Sequence, residues 1–335
     1  MSAIDRFAER ARSVARTIVL PEGQDPRVVI AANKAVDEKV VKNIIVLGSE
    51  EEISAACKEA GITERKFECI DYMKSELLQQ FADQMYEMRK AKGVTPEKAL
   101  AMVSSRIYFA AMMCKNKLAD GLVAGSIAST ADMLRAAFHC IGTAPGIKSA
   151  SSCFVMDLAS PSPAGDDVLM FADCGVNPNP DADMLVDIAM ATSTTYRALI
   201  GKQPKVAFLS FSTKGSAQNE ILEKITEASK KFADKVAAEG LDILCDGELQ
   251  ADAAIVPSVG AAKAPGSEVA GSANVLIFPD LNCGNICYKL VQRLGKAEAY
   301  GPVLQGLAKH LNDLSRGCSA EDIYGEIVIT VCQSI

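Results

Sequence analysis

Residues 312–325 read NDLSRGCSAEDIYG. Ser315, Arg316 and Gly317 lead into a thiol at Cys318, and an acid, Asp322, follows four residues on. These residue types can hold an anion and move a proton. Free N–H groups at a helix start, with a guanidinium, cradle a phosphate or a developing oxyanion, and Gly317 lets the backbone approach a ligand closely. Ile323, Ile327, Val328 and Val331 recur at helical spacing, so a helix is predicted to begin near Ser319. Ser319-Ala-Glu-Asp322 also fits a capping box, with Asp322 reaching back to the cap. Asp322 thus has two readings, a cap or a reacting carboxylate, and its basic neighbour favours the second.

Three further junctions carry similar chemistry. GSIASTADMLR (125–135) has a strand end, a loop with Ser129 and Thr130, and Arg135 one turn inside a helix. Its plainer reading is an exposed arginine paired with Asp132. Arg89, Lys90 and Lys92 cluster in YEMRKAKGVT, where helix-end cations are common. FSTKGSAQNE (211–220) again places Ser, Thr, Lys and Gly between a strand and a helix. Ligands of open α/β sheets sit at such strand ends, so the four together point to a phosphate-bearing ligand.

Other chemistries find little support. No dinucleotide-binding glycine fingerprint, P-loop or nucleophile elbow is present. With 2 histidines, proton transfer falls to a carboxylate, and a zinc site is not expected. The 11 cysteines are scattered without paired spacing, several of them in apolar runs, the pattern of reduced thiols in a cytoplasmic protein. The net charge of −7 argues against a nucleic-acid partner. No apolar stretch reaches membrane-span length. Ile4, Phe7, Ala8 and Ala11 predict an ordinary amphipathic helix rather than a targeting segment.

Strand and helix signals alternate around these junctions. Strands are predicted at 17–23, 43–49 and 121–126, with helices at 25–39, after Gly48, at 74–92, at 95–118 and from 130. A Gly/Pro-rich break falls at GTAPGIK (142–148). Beyond it, SSCFVMDL and VLMFADCGV read as two strands in a hairpin-like arrangement. Helix 181–199, strand 205–211, helix 216–238, strand DILCDG, strand 274–280 and helix 285–294 resume the alternation. A chain of 335 residues exceeds one ordinary core. The expectation is an α/β protein of two domains with an interdomain cleft, and periodicity leaves open which domain takes the final segment.

ND-LSRGCS-x-x-D near the end, STAD-x-LR near the middle and PEG-x-D-x-R near the start together resemble the phosphate acetyltransferases, and FSTKGSA and DGELQADAA agree. The resemblance runs from about residue 17 to the C-terminus, in the short form without extra N-terminal domains. It implies a fold like the isocitrate and isopropylmalate dehydrogenases, with 1–145 plus 304–335 as one discontinuous domain and 146–303 as the other. It implies interconversion of acetyl-CoA plus phosphate with acetyl phosphate plus CoA, in a homodimer without metal or cofactor. Carried over by motif, Asp322 takes the proton from the CoA thiol. Arg316 holds the phosphate and neutralises the tetrahedral intermediate, and Ser315 donates a hydrogen bond to it. Arg135 and Arg89 serve CoA, with Ser129 and Thr130 in the substrate-binding loop.

A thiol titrates near pH 8.5 and an aspartate near 4, so an ordinary Asp is too weak a base by roughly four to five units, or about 6 kcal/mol. Alignment of the reactants and a fixed countercharge must supply the difference. An acyl-enzyme on Cys318 is the rival route, since a nearby arginine and a helix start lower a thiol pKa. No histidine is close in sequence, which favours a structural Cys318. Competing functions are a phosphate butyryltransferase, a metal-dependent decarboxylating dehydrogenase using Asp181, Asp183 and Asp187, and a non-catalytic CoA- or anion-binding protein.

Overall fold

The structure, a computed structural model, describes residues 2–335. It divides into two units, Ala3–Pro145 with Leu307–Ile335, and Gly146–Gly306. The first contains α1 (Ala3–Ala11), β1 (Thr17–Leu20), α2 (Pro26–Asp37), β2 (Asn43–Leu47), α3 (Glu50–Glu59), β3 (Glu68–Ile70), α4 (Leu77–Arg89), α5 (Pro96–Val103), α6 (Arg106–Lys115), β4 (Gly121–Ala124) and α7 (Thr130–Ala136). The second contains β5 (Ser151–Asp157), β6 (Val168–Ala172), α8 (Ala182–Ile200), β7 (Lys205–Leu209), α9 (Glu223–Glu239), β8 (Leu244–Leu249), α10 (Ala251–Ile255), α11 (Pro257–Lys263), β9 (Val275–Ile277), α12 (Leu281–Gly295) and β10 (Glu298–Gln305). The chain then returns to the first unit with β11 (His310–Asp313) and α13 (Ala320–Gln333).

The first sheet is parallel throughout, in the order β11-β4-β1-β2-β3. Ile18, Val19 and Leu20 of β1 and all of β4 are buried, as strands covered on both faces must be. α13 is buried from Ile323 to Cys332 and packs against α1, α2, β4 and β11. Gly121 of β4 is required by that packing, because a Cβ there would come within 2.4 Å of the Thr330 methyl. Chain order reverses about β1, which connects to β2 on one side and lies beside β4 on the other. The carboxyl ends of β11, β4 and β1 therefore lie side by side, the place where open sheets bind ligands.

The second sheet has the order β10-β5-β6-β9-β7-β8. β5 and β6 are antiparallel, as their hairpin pattern predicts, and β10 joins them antiparallel; the other pairs are parallel. Phe154, Phe171, Leu209, Leu276 and Phe278 form part of its core.

Several boundaries differ from the sequence reading. The helix expected over 95–118 is two helices. Ser104 closes the first by donating to the Leu100 carbonyl at 2.8 Å, and Ser105 is extended. The helix expected from 216 starts at Glu223, because Lys214 and Gly215 both have positive φ and Asn219 is extended. The helix expected from 285 starts at Leu281, where Asp280 accepts from the Cys283 N–H at 3.0 Å. α7 runs into a π-turn over Ala137–Ile141. Strands β3, β10 and β11 and helices α10 and α11 were not legible. All 11 cysteines are free, and no described helix is long and apolar enough to cross a membrane.

Candidate active site

Three loops follow the carboxyl ends of β1, β4 and β11, and a few side chains tie them together. Glu22, just past β1, is 3% exposed. Its Oε2 accepts from the Gly125 N–H (2.8 Å), the Ser126 N–H (2.9 Å) and the Ser126 hydroxyl (2.9 Å), and its Oε1 from the Ile127 (3.0 Å) and Ala128 (2.7 Å) N–H groups. The loop after β4 is thus wrapped around a carboxylate of the protein itself. This corrects the sequence expectation that its N–H groups stand ready for a ligand anion.

Asp25 caps α2 by accepting from the Arg27 N–H at 2.9 Å, and grips the Arg27 guanidinium through Nε (3.0 Å) and Nη2 (2.6 Å). Burial disfavours the Asp25 charge, but hydrogen bonds from Arg27 and Ser126 outweigh it and hold the carboxyl below its ordinary value. Arg27 then reaches across. Nη1 donates to the carbonyls of Arg316 (3.0 Å) and Cys318 (2.7 Å), and Nη2 to the Ser126 carbonyl (3.1 Å). One planar fork thereby fixes the loops after β1, β4 and β11 relative to one another.

The turn so held is Ser315–Cys318, closed by the Cys318 N–H donating to the Ser315 carbonyl at 2.9 Å. Ser315, Arg316 and Gly317 are exposed. Unlike Arg27, Arg316 has no carboxylate partner among the described residues. Ser319 caps α13, and the capping box forms in full. Asp322 Oδ2 accepts from the Ser319 N–H (2.8 Å) and hydroxyl (2.9 Å), while Oδ1 takes neither bond. The capping reading of Asp322 is therefore met, and the same carboxylate is exposed six residues after Arg316.

Cys318 is buried, and burial pushes its thiol up to about 11 despite the nearby Arg27 charge. The sequence argument that its position lowers the pKa is corrected here: desolvation outweighs the cation. Thr130 opens α7 and donates its hydroxyl to Asp313 Oδ2 at 2.5 Å. Burial raises Asp313 to about 6, partly offset by that hydrogen bond and reinforced by Glu22.

Ser129 caps α7, and Arg135 pairs with Asp132 at 2.9 Å with both side chains more than half exposed. Arg89 ends α4, and its Nε is buried with no hydrogen-bond partner. Both arginines act on His139, whose pKa is lowered first by burial and then by their charges. His139 Nδ1 lies 2.8 Å from the Tyr108 hydroxyl. Arg89 and Arg135 are thus brought to one neighbourhood around Tyr108 and His139, but no hydrogen bond or ion pair links either to the Ser315–Cys318 turn.

In the second unit, the FSTKGS loop is also satisfied internally. Glu248 accepts from the Ser212 hydroxyl (2.9 Å) and the Gly215 N–H (2.7 Å), and Lys214 is paired with Asp246. The three acids of a metal-dependent alternative have separate partners. Asp181 caps α8, Asp183 pairs with Lys231, and Asp187 accepts from the Lys148 N–H. No group of three or more metal-ligating side chains occurs among the described residues.

Sequence reasoning missed Glu22, Asp25 and Arg27 as site-building residues, although PEG-x-D-x-R contains all three. Their signal was a compact run of acids and an arginine directly after a strand. Asp313 and His139 carried no signal of their own.

A parallel α/β unit that gathers an unpaired arginine, a serine and a helix-start carboxylate at its strand ends has the construction of an enzyme for anionic, phosphorylated substrates. The model of the phosphate acetyl/butaryl transferase family matches residues 2–331. The phosphate acetyltransferase of Thermoanaerobacterium thermosaccharolyticum is 48% identical over 334 residues, covering 100% of both chains. The solved EutD phosphotransacetylase from Staphylococcus aureus is 40% identical with a TM-score of 0.91, over 99% of this chain and 98% of that one. A putative 4-hydroxythreonine-4-phosphate dehydrogenase from Salmonella typhimurium, at 13% identity, TM-score 0.53 and 96% and 99% coverage, shares the fold alone. The chain belongs to the phosphate acetyl/butaryl transferase family.

Proposed function

We propose that this enzyme interconverts acetyl-CoA plus phosphate with acetyl phosphate plus CoA, by direct attack of the CoA sulfur on the acetyl carbonyl carbon in a ternary complex. The observation that carries the reading is Arg316, exposed and without a protein carboxylate, on a turn that Arg27 clamps at two carbonyls. Arg316 binds the phosphoryl oxygens and steadies charge on the tetrahedral intermediate, and Ser315 donates to its oxyanion. Asp322 accepts the thiol proton at its free oxygen. The S–C bond forms, the C–O bond to phosphate breaks, and phosphate leaves with its electron pair. Arg89 and Arg135, converging on His139, bind the phosphates of CoA, with Ser129 and Thr130 shaping the adjoining loop. No acyl-enzyme on Cys318 is required, in keeping with a thiol raised to about 11.

The acetyl group is the favoured acyl chain, because the full-length relative at 48% identity is a phosphate acetyltransferase. The chemistry calls for no metal or cofactor: phosphate is already a good leaving group, and a guanidinium supplies the positive charge. The free thiols favour a reducing, cytoplasmic setting, and the proposed reaction favours a place in acetate metabolism. Ile286, Leu290 and Leu294 lie exposed at spacings of four along α12 and favour a homodimer, which light scattering would test. Mixing acetyl phosphate with CoA and following thioester absorbance tests the function. Appearance of thioester, with faster turnover of acetyl-CoA than butyryl-CoA in the reverse direction and no loss to a chelator, is expected. Absence of thioester, or preference for butyryl-CoA, would overturn it.

A further inference from the structure

Glu326 lies on α13 one turn beyond Asp322, within the run buried from Ile323 to Cys332. It is 3% exposed, and neither carboxyl oxygen has a hydrogen-bond partner. A buried carboxylate without donors is costly, and such a group normally keeps its proton. The charged groups that act on it are acids. From β11 comes Asp313, whose Oδ1 is also buried and unpartnered, and from its own helix comes Asp322. Among the described residues no cation acts on Glu326 itself. β4 has no charged side chain; on α2, Arg27 grips Asp25, Lys34 pairs with Glu321 and Asp37 pairs with Lys66; Glu38, just past α2, accepts from the Tyr324 hydroxyl; Arg10 of α1 acts on Cys332; and burial keeps His310 of β11 at about 4.

We propose that Glu326 is a positioning residue for the reaction, its buried carboxyl setting how strongly Asp322 holds a proton. The inference rests on the reading of Asp322 as the base. While Glu326 is protonated it adds no charge behind Asp322. When it releases its proton to solvent, the carboxylate raises the proton affinity of Asp322, because a like charge nearby disfavours the ionised form. Cβ atoms one helical turn apart are about 5–6 Å from each other, near enough for the charge to be felt. Burial, then Asp313 and Asp322, push Glu326 up to about 8. A free thiol titrates near about 8.5, so an aspartate otherwise too weak becomes stronger in the range where CoA itself begins to ionise.

The test is the ratio of kcat/KM for CoA between the wild type and Glu326→Gln across pH, with acetyl phosphate saturating. Taking the ratio cancels the ionisation of the thiol. The two enzymes should agree within about twofold near pH 6 and differ about five- to tenfold near pH 9, the size expected of one charge at this spacing in a partly screened site. A ratio that does not change with pH overturns the proposal, whether the enzymes match or differ by a constant factor. Asp322→Asn separates the two layers. If it keeps full turnover, the reading of Asp322 as base fails; if it loses turnover while the ratio stays flat, only the role of Glu326 fails. Should Glu326→Gln not fold, infrared spectra of wild-type enzyme with isotope-labelled glutamate carboxyls serve instead. A protonated glutamate band at neutral pH that disappears as pH rises through about 8 supports the proposal, and its absence at neutral pH overturns it.

Discussion

Arg27 donates from one nitrogen, Nη1, to the carbonyl of Cys318 at 2.7 Å and to that of Arg316 at 3.0 Å. An arginine near the start of the chain thereby sets the backbone of a turn near its end. Lysine has a single ammonium and cannot also keep the two-point grip on Asp25. Arg27→Lys is expected to lower kcat by roughly tenfold or more, because a small displacement of a positioned group is costly, and to reduce stability by about 1–3 kcal/mol. Steady-state kinetics with urea unfolding check both. Wild-type kcat in Arg27→Lys would show that Arg316 is placed by something else.

Glu22 takes five donors from the loop after β4. A glutamine in its place loses the charge and turns one acceptor into a donor facing N–H groups. Glu22→Gln is predicted to destabilise the protein by about 2–4 kcal/mol, the scale of a few charge-assisted bonds that do not add. Urea unfolding at neutral pH reads this directly, and a change below about 0.5 kcal/mol, the scale of an ordinary surface substitution, would contradict it.

Asp322 caps a helix as well as facing solvent. Asp322→Asn retains a side-chain oxygen for the cap, so a stability loss within about 1–2 kcal/mol is expected alongside loss of most turnover. Collapse of the fold with proportionate loss of activity would reduce Asp322 to a cap alone.

Burial raises the Cys318 thiol to about 11 and leaves Cys283 exposed. Iodoacetamide at neutral pH should label Cys283 well before Cys318, since thiolate fraction and access control the rate. Cys318→Ala should keep kcat within about tenfold, whereas an acyl-cysteine mechanism requires a loss of many orders. Trapping of an acetylated Cys318 would decide for the covalent route.

Stability should fall on the alkaline side. The folded value of Glu326, about 8, lies above that of an unfolded glutamate. Its favourable contribution is therefore complete at low pH and disappears as pH climbs through the folded value. Between about pH 6.5 and 8 the loss should approach roughly 2 kcal/mol, at about 1.4 kcal/mol per unit. His310 acts in the opposite sense. Burial lowers it to about 4, so its contribution is present above about 6.5 and lost as pH falls. Below about pH 6.5 the raised acids Glu326 and Asp313 oppose His310, so urea midpoints between about pH 6.5 and 8 test the Glu326 limb, and an unfolding free energy that rises over that interval would be inconsistent with a buried Glu326.

The alternation of strands and helices was legible because β1 and β4 are short apolar runs and α2 and α8 have clear periodicity and side-chain caps. β10 and β11 were not, since EAYGPVLQ contains a glycine and a proline and HLND is four residues with polar ends. The helix cap at Ser319 and the turn at 315–318 could be read from local types and spacing. The parts that place that turn could not. Arg27 and Cys318 are 291 positions apart, and only the parallel order β11-β4-β1 brings them together. The reading of free N–H groups after β4 failed for the same reason: the acid that fills them, Glu22, comes from the neighbouring strand about a hundred positions earlier in the chain.

Arg316→Gln is the most direct test of the site, with the rate of thioester formation from acetyl phosphate and CoA measured under saturating and limiting substrate. A guanidinium that steadies the reacting charge should, when removed, lower kcat by roughly a hundredfold or more with only modest change in KM. A raised KM with kcat unchanged would make Arg316 a binding residue and place the stabilisation of the intermediate elsewhere.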